Sequence, residues 1–276
     1  MRRNTWLRTA AAHLLADGEC RLTRMADHVG VLALNRPSRK NAIGQILLRE
    51  LRECIRMCSD PANAIHCLVV ESQVDGIFCA GSDLKERRTM SVEASRAFVQ
   101  DLRDTFTAFE DLPMPTIAAV EGNALGGGCE LALCADMRVA GAAAQFALPE
   151  TGLAVIPGAG GTYRAPLAMG LSRALHFILT AEQLTAERAL QLGLVNEVAP
   201  NGEAFAAALE LARRIARNGP VALAAAKAAV RGGYGRPRDE AMACETAQYE
   251  VVLATEDRLE GLRAFAEKRP PRYVGK

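Results

Sequence analysis

The sequence predicts a layered α/β fold followed by a helical C-terminal region, and three features predict it. From about Glu19 to Val198, short apolar runs too brief for helices alternate with segments of helical period. Glycine-rich turns separate several of these runs, as in "NALGGGCELALC" from Asn123 to Cys134. Beyond Asn201 the strand-like runs stop and four helical patterns follow one another. The implied organisation is an extension over 1–18, an α/β core over 19–200 and a helical region over 201–276.

In the extension, Arg2, Arg3 and Arg8 precede the first acid, Asp17, with Trp6, Leu7, Leu14 and Leu15 interspersed. An arginine-rich, acid-free amphipathic start is the pattern of a mitochondrial presequence; the alternative is the basic N-terminus of a cytoplasmic protein. Next, "CRLTRMADHVGVLALNRP" reads as a hairpin turning between Asp27 and Gly30. "ILLRELRECIRMC" is helical and stops at Ser59-Asp60-Pro61, and "IHCLVVES" is a buried strand. A long helix fills Val92 to Leu112 before Pro113 and Pro115. "TIAAVEG" is a strand leading into the glycines, a helix starts near Gly127, and "DMRVAG" and "QFAL" resume strand character. The last four helices begin at "EAFAAAL", "PVALAAA", "RDEAMAC" and "TEDRLEG", and Pro270 and Pro271 end the series. Such a region is thin for a core of its own, so it is expected to pack on the α/β core, on a neighbouring subunit, or on both.

Composition narrows the function. Half of the 276 residues are hydrophobic and 24% are charged, with a formal net charge of +1, which excludes an overall field drawing nucleic acid or anionic membrane. No apolar run approaches a membrane span. The eight cysteines form no CxxC pair and lie at no zinc spacing from the four histidines. They are expected to be reduced and mostly buried, with no metal site. His13, His28, His66 and His176 form no catalytic constellation.

The chemistry concentrates at the glycines. The first turn of a helix carries N–H groups without internal partners, and glycine lets a ligand atom reach them. Glu130 sits in that turn beside Gly126 and Gly127. Such a start also serves close packing, with the glutamate complementing the dipole, so the segment alone leaves both readings open. Two further stretches add to it. "GIFCAGSDLKER" runs through Ala80-Gly81 towards another helix and exposes a backbone N–H at Ala80. "QFALPETGLAVIPGAGGTYRAP" places Glu150 after Pro149 and ends in a second glycine cluster containing Gly158. Amides and carboxylates from separate regions of the chain are what a converging pocket requires.

Together "NRPSRKNA", "FCAGSDLKE", "ALGGGCELAL" and "LPETGLAVIPGAGGT" resemble the motif set of the crotonase, or enoyl-CoA hydratase/isomerase, superfamily, from about Leu22 to the C-terminus. With "EKRPPRY", the stretch after Gly76 is most similar to the methylglutaconyl-CoA hydratases, the AU-rich-RNA-binding homologues within that family. The resemblance implies a spiral of β-β-α units with a C-terminal helical trimerisation region, assembled as trimers or dimers of trimers. It implies Ala80 and Gly127 as an oxyanion hole, and Glu130 and Glu150 as the carboxylate pair that marks hydratases. Ala80, Gly81, Ser82, Asp83, Leu84, Gly126, Gly127, Pro149 and Gly158 become the expected CoA-ester site. No cofactor is implied, because coenzyme A enters as part of the substrate. Two departures bear on substrate identity. Ser82 replaces a frequent alanine, its hydroxyl read as a helix cap in preference to a contact with the CoA adenine end, and Tyr163 replaces a frequent glutamine near the acyl pocket.

The CoA phosphates require cations, for which Arg36, Lys40 and Lys268, with Arg269, are candidates alongside a reading as solvated surface charge. Lys85 is a candidate partner for a second substrate carboxylate. The RNA-binding homologues carry lysines four apart on the first helix. Here that face holds Gln45, Arg49 and Glu53, while Arg52 and Arg56 alternate with Glu50 and Glu53, so RNA association is expected to be weak and salt-sensitive.

Overall fold

Why the strands read as continuous apolar runs is plain from their burial on both faces. The computed structural model describes residues 12–276; the basic segment containing Arg2, Arg3, Trp6 and Arg8 lies outside the described residues. The elements run β1 (Ala12–Leu15), β2 (Cys20–Arg24), β3 (Val29–Leu34), α1 (Gln45–Cys58), β4 (Cys67–Ser72), β5 (Ile77–Cys79), α2 (Leu84–Arg87), α3 (Val92–Glu110), β6 (Thr116–Val120), β7 (Asn123–Leu125) and α4 (Gly127–Cys134). They continue with β8 (Met137–Gly141), β9 (Gln145–Ala147), a 3-10 turn (Pro149–Leu153), α5 (Gly161–Met169), α6 (Leu171–Thr180), β10 (Gln183–Thr185), α7 (Ala186–Leu192), β11 (Glu197–Ala199), α8 (Ala204–Ala216), α9 (Pro220–Gly233), α10 (Arg238–Leu253) and α11 (Glu256–Ala266).

One sheet has the order β1-β2-β3-β4-β6-β8-β11, antiparallel across β1-β2-β3 and parallel thereafter. A smaller sheet, β10-β9-β7-β5, has three parallel neighbours and an antiparallel edge. Alternate residues of the large sheet enter two cores. Leu68, Val70, Ala118 and Val120 join α1, α3 and α4 on one face, whereas Cys67, Val69, Ile117 and Ala119 meet Ala208, Leu209 and Ala212 of α8 on the other.

The chain repeats one unit: a strand of the large sheet, a strand of the small sheet, then a helix. β4, β5 and α2–α3 form one turn, β6, β7 and α4 the next, and β8, β9 and α5–α6 the third. This is the expected spiral. It also delivers the site, because β5, β7 and β9 lie side by side and parallel. The segments after their C-terminal ends are Ala80–Asp83, Gly126–Gly127 and Leu148–Glu150.

One feature differs from the sequence expectation. Part of the predicted extension, Ala12–Leu15, is an edge strand paired with β2, since an apolar stretch beside an open strand edge gains ladder hydrogen bonds. Of the alternatives stated for the C-terminal region, packing on the α/β core holds for α8, which is a layer of that core. Glu121 fixes its start, its carboxylate accepting from the N–H groups of Gly202 and Ala204. Farther along, α10 buries none of its residues, and Met242, Tyr249, Leu259, Leu262 and Phe265 on α10 and α11 are exposed. All eight cysteines are free and seven are buried.

Candidate active site

Gly81 makes the first approach. Its φ is +87°, and a Cβ there would lie 2.7 Å from the Leu125 carbonyl oxygen and 3.3 Å from the Gly127 nitrogen. Without a side chain, the segment after β5 comes against the start of α4. Ile43 then decides which amide faces that helix. Its N–H donates to the Gly81 carbonyl at 2.7 Å and its carbonyl accepts from Asp83 N–H at 3.0 Å. In extended backbone, successive groups point to opposite sides, so the Ser82 N–H is directed away from Ile43. The Ser82 nitrogen lies 3.6 Å from where a Gly127 Cβ would stand. Among the described residues, neither the Ser82 nor the Gly127 N–H takes a hydrogen-bond acceptor.

This corrects the sequence expectation for Ala80. Its N–H donates to the Lys40 carbonyl at 3.1 Å and is committed to the scaffold. Ser82 supplies the amide facing Gly127 instead. Nor is Ser82 the helix cap: Asp83, buried, accepts from Lys85 and Glu86 N–H at 3.0 and 3.3 Å. Leu84 and Lys85 are exposed on α2.

Across the gap, Gly126 adopts φ 51° and ψ −123°, open only to glycine, and a Cβ there would stand 2.9 Å from Glu150 Oε1. A Cβ at Gly128 would overlap the Cys79 carbonyl, so this glycine permits α4 to press against β5. Glu130, on α4, is 3% exposed, and its Oε1 accepts from the N–H groups of Ala159 and Gly161, each at 2.8 Å. Burial raises its pKa above the usual 4.5, against the lowering by these two amides and by Arg164 and Arg103.

Glu150 stands on the 3-10 turn after β9 and is held quite differently. Its Oε2 is buried without a hydrogen-bond partner among the described residues. Burial pushes its pKa from 4.5 up to about 7; its own backbone N–H opposes the shift and the Glu130 charge adds to it. A buried carboxyl oxygen without a partner calls for an explanation, and a site for chemistry is one. Two interacting carboxylates with unlike environments, beside two unengaged amides, can hold a water, move protons and stabilise an oxyanion.

The other expected site residues divide. Pro149 starts the turn bearing Glu150, and Gly158 lies in the loop that holds Glu130, its carbonyl accepting from Arg103 Nε at 2.6 Å. Arg36 is not available to a phosphate: it is 11% exposed and pairs with Glu19 at 2.9 Å, Asp83 at 3.0 Å and Glu86 at 3.1 Å. Lys40 and Lys268 are exposed, and Arg269 pairs with Glu260 and Glu267. Tyr163, exposed, lines a recess of about 460 Å³ with Arg103, Glu110 and Arg231, a lining that includes neither Glu130 nor Glu150. His28 and His66 stack at 4.3 Å, His13 bonds Thr23, and His176 pairs with Glu182. On α1, Arg56 binds Glu53 through two contacts and Arg52 pairs with Asp101.

Comparison with known proteins agrees with this arrangement. The family model described as enoyl-CoA hydratase/isomerase matches residues 24–276. The mitochondrial methylglutaconyl-CoA hydratase of Mus musculus is 43% identical over 249 residues, covering 89% of this chain and 79% of that protein. The protein named probable enoyl-CoA hydratase 2, mitochondrial, of Arabidopsis thaliana is 46% identical over 242 residues, covering 88% and 80%. The crystal structure of an enoyl-CoA hydratase from Bacillus anthracis superposes with a TM-score of 0.91 at 40% identity, covering 94% of this chain and 100% of that one.

Proposed function

The chain belongs to the enoyl-CoA hydratase/isomerase family, and on that premise we propose that it reversibly hydrates a short-chain 2-enoyl-CoA thioester with Glu130 and Glu150. As a member it is an enzyme of CoA thioesters. The observation that carries the finer reading is the unlike pair of carboxyls: Glu130 fixed by two amides, and Glu150 buried, partnerless at Oε2 and with a pKa near neutrality, about 7.

In this reading the thioester oxygen lies between the Ser82 and Gly127 N–H groups. Adding water moves charge onto that oxygen, and fixed donors favour the enolate-like transition state over the neutral ground state. Ionised Glu130 orients a water and takes its proton as the oxygen bonds Cβ. Protonated Glu150 gives its proton to Cα as the enolate electron pair returns. Transfer of one proton from Glu130 to Glu150 resets the pair, and dehydration runs the steps backwards. An isomerase shifting a double bond needs only one such acid–base group, so two retained carboxyls favour hydration.

Similarity to the mouse methylglutaconyl-CoA hydratase supports 3-methylglutaconyl-CoA as the first substrate and crotonyl-CoA as the second. The exposed apolar residues of α10 and α11 support self-association as a trimer or dimer of trimers. Exposed Lys40 and Lys268 remain the proposed phosphate cations, while the paired Arg52 and Arg56 leave little for RNA. The mitochondrial relatives and the basic start of the sequence support a mitochondrial location. Loss of enoyl absorbance over a panel of CoA esters tests the reading. Conversion of 2-enoyl esters to 3-hydroxyacyl esters, with methylglutaconyl preferred, is expected. No loss with any 2-enoyl ester, together with conversion of a 3-enoyl ester to its 2-enoyl isomer, would overturn it.

A further inference from the structure

We infer that Arg164 is a positioning residue for Glu130, locking the loop whose amides hold that carboxylate. The inference rests on the hydratase reading. Ala159 carries the connection: its N–H donates to Glu130 Oε1 at 2.8 Å and its carbonyl accepts from Arg164 Nη1 at 2.9 Å. Gly160 between them has φ +108°, and a Cβ there would overlap Arg164 Nη1, so only glycine admits the guanidinium. Arg103 grips the preceding carbonyl, that of Gly158. Carbonyls on two arginines and amides on one carboxylate leave the loop little freedom.

Arg164 is itself fixed. It is 6% exposed and places Nε and Nη2 on Glu110 Oε2, with Nε at 2.8 Å. The other oxygen of Glu110 pairs with Arg231 Nη1 at 2.8 Å. Arg231 also binds Asp136, just beyond the helix bearing Glu130, and Lys227 joins the same carboxylate at 2.9 Å. Helix α9, in the C-terminal region, is thereby tied to the back of the loop that holds Glu130. Stability alone explains such a buried network poorly, since apolar replacements of buried ion pairs are often neutral or stabilising. Arg103, Arg164 and Arg231 line the adjoining recess of about 460 Å³, but each is already bound to a carboxylate or carbonyl.

The charged and titratable groups facing Glu130 are Arg164 on α5, Arg103 on α3, Glu150 on the 3-10 turn, and Cys129 and Cys134 on its own helix. Removing the Arg164 charge takes away a group that lowers the Glu130 pKa, so the acid limb of the rate profile moves to higher pH.

The experiment compares Arg164→Met and Arg164→Lys with the full chain on crotonyl-CoA, alongside amide hydrogen exchange at Ala159 and Gly161. For Arg164→Met, kcat is expected to fall roughly 100-fold with KM changed by less than about threefold, as for a misplaced catalytic group. Its acid limb rises, and both amides exchange at least about tenfold faster while the β6 amides keep their protection. Arg164→Lys keeps the charge but not the fork, and about a tenfold loss in kcat is expected. Exchange and kcat within about threefold of wild type in Arg164→Met overturn the inference; so does a fall in kcat with acid limb and exchange unmoved. Should Arg164→Met not fold, wild-type kcat in Arg164→Lys overturns it. A wild-type chain without enoyl turnover refutes the hydratase reading instead, while the exchange data still decide what Arg164 does to the loop.

Discussion

Raising the pH should silence hydration along a curve set by Glu150. In the proposed mechanism, turnover requires one proton shared by the pair, on Glu150, with Glu130 ionised. Adding a second proton protonates Glu130 and gives the acid limb; losing the first ionises Glu150 and gives the alkaline limb. With the Glu150 pKa at about 7, roughly nine-tenths of the enzyme carries that proton at pH 6 and roughly one-hundredth at pH 9. The expected fall in kcat/KM between these two values is therefore roughly 100-fold, with a limiting slope of −1. An ordinary glutamate at 4.5 would instead lose its proton tenfold per pH unit across the whole interval, a fall of roughly 1000-fold with no bend near 7. Initial rates at low crotonyl-CoA concentration, from about pH 5 to about pH 10, check this. A plateau through pH 9 would show that protonated Glu150 is not required and would refute the reasoning.

Gly126→Ala forces a strained backbone and pushes a methyl towards Glu150 Oε1, so kcat should drop roughly 10–100-fold and unfolding free energy by about 1–3 kcal/mol, read by kinetics and urea denaturation. A backbone ester introduced at Ser82 through an α-hydroxy acid removes one of the two proposed oxyanion donors and should lower kcat roughly 10²–10³-fold. The same change at Ala80 should cost about 1 kcal/mol of stability and leave chemistry intact, because that N–H serves Lys40. Glu150→Gln should relieve the wild type of a pH-dependent burden. A folded-state pKa raised from 4.5 to about 7 means stability present below 4.5 and lost as pH rises through 7, at most on the order of 3 kcal/mol. Denaturation midpoints at pH 5 and pH 9 should thus diverge less in the variant, and equal divergence would count against burial as the cause.

Much of this architecture was legible in local pattern. "TIAAVEG" followed by three glycines and Glu130 reads as a strand leading through glycines into a helix because periodicity and punctuation agree, and those elements are β6 and α4, whereas the three-residue strand β7 between them carries no such signal. The glutamates were legible as well, each adjoining a signal of its own, a helix start and Pro149. What escaped depends on partners distant in the chain. The donor at Ser82 differs from the one at Ala80 only through the ladder made with Ile43, about 40 positions earlier. Arg36 looks like a phosphate cation until folding brings Glu19, Asp83 and Glu86 around it. Arg164 gave no signal, since its acid partner is 54 residues away. The helix at "EAFAAAL" carried the right period, but periodicity cannot tell a face destined for the sheet from one awaiting another subunit.

Glu150→Gln measured for turnover and for binding on the same preparation tests the central claim most directly. Turnover of the preferred 2-enoyl-CoA should fall roughly 10²–10⁴-fold, as for the loss of an acid–base group, while the dissociation constant of an unreactive acyl-CoA stays within about threefold. Turnover close to that of the wild type, with the variant folded and binding normally, would contradict a catalytic pair made of Glu130 and Glu150.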